Sequence, residues 1–73
     1  MEAAGLAAIG AGLAVGLAAI GTGLAQAGIG AAGTGVIAEK PDFLGTAILL
    51  IAIPETMVIL GFAVAAMVLL LGR

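Results

Sequence analysis

The sequence predicts an all-α membrane protein, a two-transmembrane-helix antiparallel hairpin that assembles into a closed homo-oligomeric ring. Three observations predict it. The composition is too apolar for a small soluble domain: of 73 residues, 64% are hydrophobic and 8% charged, with a mean hydropathy of +1.44. The charges fall at the two ends, in one central cluster and at one isolated position, so each half keeps an apolar run longer than the roughly 20 residues that span a bilayer. The first half, finally, sorts its glycines and alanines into two opposed stripes.

The first element is a helix over residues 3–38. Gly or Ala fills 23 of its 36 positions. In water each glycine costs a helix about 1 kcal/mol relative to Ala. In lipid every backbone N–H and C=O must be satisfied internally, so the segment is helical and its glycines need a packing reason. At about 100° per residue, Gly5, Gly12, Gly16, Gly23, Ala27 and Gly30 share one narrow stripe. Gly10, Ala14, Gly21, Ala25, Gly28 and Ala32 form a second on the opposite side. Leu6, Leu13, Leu17, Ile20 and Leu24 gather on one face between them. One small-residue stripe suits a dimer, because it lets two helix backbones approach closely. Two opposed stripes suit a helix with close neighbours on both sides, and a repeated heterologous contact closes a ring. Gln26, the only side-chain amide, lies away from the leucines, near Ala19 and Thr22.

The next element is a polar turn over residues 39–42. Glu39, Lys40, Pro41 and Asp42 are its solvated groups, with Pro41 disfavouring helix at Lys40 and Asp42 available as N-cap of the following helix. Residues 43–72 then form the second helix. Its larger side chains suit an outer, lipid-facing position, and the thin glycine helix suits a crowded inner one. Lys40 and Arg73 fall on opposite sides of the membrane, so charge bias leaves the orientation open.

Within that second helix sits Glu55, the one ionisable group of either span. A charge at bilayer depth is expensive and marks a functional position by default. A hairpin folded at Lys40/Pro41 brings to one depth positions whose numbers sum to about 81, as Gln26 and Glu55 do, each about 20 Å from the turn. Pro54 has no N–H, which frees the Leu50 carbonyl and permits a kink. That carbonyl, the Thr56 hydroxyl, the Gln26 amide and the carboxylate make a compact oxygen set. Such a set holds a protonated Glu55 or a small hard cation. Either way the group is expected to be neutral in hydrocarbon and to ionise only where water or a counter-charge is offered. That is a carrier rather than a channel.

Composition excludes several other functions. Lysine and arginine total 2 residues and aromatics 3%, so a nucleic-acid surface has no basis. Without cysteine or histidine there are no disulfides, no transition-metal site and no Ser/His or Cys/His pair. The glycines are spaced for helix packing, not for cradling phosphate, and no cofactor is expected. A signal peptide fits poorly, since Glu2 stands where a basic region belongs and the apolar run is too long.

These residues resemble the rotor-ring c subunit, or proteolipid, of rotary ATPases. The Gly/Ala-rich first helix, the polar turn and the string Pro54-Glu55-Thr56 followed by Leu60-Gly61 look closest to the archaeal and bacterial A/V-type members. F-type c subunits, whose turn usually carries an Arg/Gln-Pro motif where this chain has Glu39-Lys40-Pro41-Asp42, are the close alternative. The resemblance implies a ring of identical subunits in a prokaryotic plasma membrane. That ring would turn against a stator membrane subunit (a/I-type) with an unloading arginine, and its cytoplasmic turn would dock on the central stalk. It implies Glu55 as the ion-carrying carboxylate, supported by Gln26, Thr56, Pro54 and the backbone of Ile53. Leu60 departs from the tyrosine of many sodium-binding members, and Met57 from the second glutamine of A-type relatives. The expected ion is therefore H+, with Na+ the alternative at Glu55, Gln26 and Thr56. A structural or pore-forming hairpin oligomer is the competing reading. It accounts for the stripes but leaves Glu55 and its depth unexplained.

Overall fold

A computed structural model describes residues 2–72; the terminal charge expected of Arg73 lies outside them. Helix α1 runs Ala3–Glu39 and helix α2 runs Leu44–Leu71, joined through Lys40 and a 3-10 turn over Pro41–Phe43. Lys40 closes α1 by returning its N–H to the Val36 carbonyl at 2.7 Å. Pro41 then sets the first position of the turn, where its fixed φ is already helical and its missing N–H costs nothing. Asp42 sits inside this turn, and α2 is capped instead by Phe43 without a side-chain hydrogen bond. Once Pro41 has started helical geometry, Asp42 no longer has the extended backbone that an N-cap needs.

The two helices form an antiparallel hairpin measuring 56 × 16 × 7 Å. Both are long and apolar enough to cross a membrane. The residues buried between them are small: Ala11, Thr22 and Gly33 on α1 with Ala47, Pro54 and Ala65 on α2. Large side chains point outward, Leu24 at 71% and Leu71 at 81% exposure among them. A soluble protein could not carry such a surface. In lipid it is the expected solvent-facing surface, and the helices are held by close packing and cross-helix hydrogen bonds.

Register departs slightly from the sequence expectation. Gly21 meets Met57, Ala18 meets Gly61 and Gly33 meets Ala47, pairs whose numbers sum to about 79 rather than 81. The 3-10 turn explains part of the offset, since it advances about 2.0 Å per residue against 1.5 Å in an α-helix. Glu55 therefore sits about 3 Å further from the turn than the α-carbon of Gln26.

No described residue has a positive φ, so none of these glycines is needed for backbone conformation. Gly61 is needed for space: a Cβ there would lie 2.7 Å from the Ala18 Cβ and 3.0 Å from the Ala14 carbonyl oxygen. Gly12, Gly16, Gly23 and Gly30, four members of the first stripe, would meet nothing within 4 Å. On the second stripe α2 grazes Gly10 through Val68 and Gly21 through Met57, while Gly28 stays open. Helix α2 thus lies on the face opposite the leucines, and the hairpin leaves the first stripe open while covering part of the second.

Candidate functional site

The site arises where α1 and α2 exchange hydrogen bonds near the middle of both spans. On α1, Thr22 and Gln26 are four residues apart and so share a face. On α2, Ile51, Pro54 and Glu55 do the same. The Gln26 Nε2 donates to Glu55 Oε2 at 2.6 Å and to the Ile51 carbonyl at 3.3 Å. Both amide protons are thereby used, and the length of the glutamine side chain bridges the register offset. One turn away, the Thr22 hydroxyl donates to the Pro54 carbonyl at 2.9 Å.

Gln26, Glu55 and Pro54, singled out by sequence, are thus brought together. Thr56 and Ile53 lie beside them, joined to each other: the Thr56 hydroxyl donates to the Ile53 carbonyl at 2.7 Å. Its single proton is therefore spent within the helix, and the Thr56 oxygen faces out as an acceptor. The carbonyl that meets the Gln26 amide belongs to Ile51, one residue past the Leu50 carbonyl that sequence reasoning pointed to. Thr22 stands out in the sequence only as a neighbour of Gln26. The signal that could have found it is its spacing, one turn before the amide on the face opposite the leucines.

Exposure divides the site in two. Pro54 and Thr22 are buried, Gln26 is half-buried, and Glu55 and Thr56 are exposed on the side of the hairpin. Because Gln26 donates to Oε2, that oxygen is an acceptor, and a proton on the carboxyl group would reside on Oε1. Among the described residues no cationic side chain shares this depth, since Lys40 stands at the turn. The arrangement can hold one proton on the Glu55 carboxyl group, on the rim of the hairpin. Glu39, Lys40, Pro41 and Asp42 are all exposed at the turn, far from this site.

Comparison with known proteins adds a family. A family model for the C subunit of ATP synthase matches residues 9–68. The A-type ATP synthase subunit K of Methanocaldococcus jannaschii is 48% identical over 64 residues, covering 88% of this chain and 29% of that protein. The chain thus spans less than a third of that relative's length. The resemblance to rotor-ring proteolipids, with A-type members nearest in motif, is borne out by these matches.

Proposed function

The chain belongs to the family of ATP synthase C subunits, and from that premise we propose that it is the ion-carrying rotor subunit of an A/V-type rotary ATP synthase or ATPase. Glu55 carries the ion, Gln26 holds the carboxylate, and Thr56 and the Ile53 carbonyl complete the acceptor side. The observation that carries this reading is the 2.6 Å bond from Gln26 to Glu55, which joins the only ionisable side chain of either span to the only amide.

Identical subunits form the ring in this proposal. Support comes from the open glycines: four along the first stripe have no neighbour within the hairpin, and a second copy gives each of them a close contact. The exposure of Glu55 on the rim supports its contact with a neighbouring copy or a stator subunit. Since the described residues have no cation at that depth, the counter-charge that ionises Glu55 comes from the stator, as a basic side chain. The exposed turn Glu39–Asp42 is the surface offered to central-stalk subunits. It faces the cytoplasm of a prokaryote whose plasma membrane holds the complex. The ion is H+ rather than Na+, because a single hairpin offers few oxygen ligands for a hard cation. Each charge moved is worth about 2.3 kcal/mol per 100 mV, so several must pass for each ATP. The hairpin itself performs no bond chemistry, and the soluble motor attached to the ring does.

Replacing Glu55 with Gln tests the proposal. The oligomer is expected to remain intact while ion-coupled ATP turnover is abolished, and retained coupling would sink the reading. The open stripes alone would equally serve a structural or pore-forming oligomer. Purified oligomers in vesicles separate the two, because a carrier ring is sealed to ions and a pore leaks.

A further inference from the structure

Thr22 is the one buried polar side chain among the described residues, 4% exposed. Threonines in apolar helices usually satisfy their hydroxyls on their own backbone, one turn back. Two here do so: Thr34 bonds the Gly30 carbonyl and Thr56 the Ile53 carbonyl, each at 2.7 Å. Thr22 instead reaches across to the other helix, and its acceptor is the carbonyl of the proline preceding Glu55. We infer that Thr22 is a positioning residue: its hydroxyl, anchored on the Pro54 carbonyl, fixes the roll of α2 against α1 and thereby holds Glu55 on the Gln26 amide.

The geometry supplies the argument. Pro54 cannot complete the helical ladder, so α2 is freest to bend and swivel there. The two bonds from Gln26 leave a single nitrogen, so alone they form a pivot. The Thr22 bond, a turn away, removes the remaining rotation. Helix packing alone asks only for a small or β-branched side chain at position 22, and valine would supply the same bulk. The hydroxyl adds direction. The functional consequence rests on the proposed role of Glu55, whereas the positioning itself does not.

Gln26 makes the test unusually clean, because it is the only side-chain amide in the chain. With 15N-glutamine in the full chain, reconstituted as its oligomer in lipid, a single side-chain NH2 pair is read by NMR. In the wild type its two protons are expected to be widely separated by the short bond to Glu55. Thr22→Val keeps the bulk and removes the hydroxyl, and it should collapse that separation. Thr22→Ser keeps the hydroxyl and should restore it, while Thr22→Ala is a second hydroxyl-free variant expected to behave like valine. An unchanged amide pair in the valine or alanine variant overturns the inference. So does collapse in the serine variant, which would assign the effect to the methyl group, and so does an unsplit wild-type pair. In the assembled complex, ion-coupled turnover should fall about fivefold in Thr22→Val, the size of one net hydrogen bond, and recover in Thr22→Ser. Retained coupling in Glu55→Gln would defeat the functional reading alone, since the amide pair reports the geometry independently.

Discussion

Adding one methyl group at Gly61 tests how tightly the hairpin is closed. In Gly61→Ala the new Cβ would stand 2.7 Å from the Ala18 Cβ and 3.0 Å from the Ala14 carbonyl oxygen. Neither neighbour is the free end of a flexible side chain, so the helices themselves must separate, by about 1 Å for ordinary contact. If they open about the turn, the displacement scales with distance from Lys40. Glu55 lies about 0.7 of the way to Gly61 at equal rise per residue, so it moves about 0.7 Å. That carries the Thr22–Pro54 bond from 2.9 Å to about 3.6 Å, beyond hydrogen-bonding range. With overpacking at 1–3 kcal/mol, the hairpin should lose about 2 kcal/mol. The chain has no cysteine, so dyes on cysteines introduced at Ala4 and Leu70 report closure by energy transfer during an SDS titration. Gly12→Ala is the control, because its methyl meets nothing within 4 Å. Equal stability of Gly61→Ala and wild type, or an equal loss in Gly12→Ala, would refute the reasoning.

Substituting Gly12 or Gly16 by Val should leave the energy-transfer curve of the single hairpin within about 0.5 kcal/mol of wild type, yet abolish the oligomer on native gels; an intact oligomer would mean that the open stripe is not a contact. Carbodiimide labelling of Glu55, followed by mass spectrometry, should proceed unprotected by sodium in the wild type. In Met57→Gln, which puts an amide on the opposite flank of the hairpin, beside Gly21, where the proposed ring offers it to a neighbouring copy, sodium should slow labelling several-fold; protection already present in the wild type would reverse the assignment of the ion.

The hairpin was legible in the sequence because the bilayer permits so few solutions. Two long apolar runs around Glu39–Asp42 can hardly be anything but two helices and a turn. Glu55 stood out for the same reason, as the one charge without an obvious cause. What the sequence did not carry was detail set by geometry at the scale of one residue. The 3-10 turn shifts the register and takes Asp42 out of its capping role, and Ile51 rather than Leu50 meets Gln26 because it stands one turn before Glu55 on the same face. Thr22 is inconspicuous because threonine in an apolar helix is ordinary. Its burial and the direction of its hydroxyl separate it from Thr34, and both are properties of the folded pair.

The uncovered glycines place the chain's vulnerability where the monomer cannot feel it. A methyl at Gly12, Gly16, Gly23 or Gly30 disturbs no contact within the hairpin, so a cell that inspects single hairpins for proper folding would pass such variants unchanged. Their defect emerges only when copies meet. Selection on these positions therefore acts on the collective, and one faulty copy spoils a structure that its sound companions share.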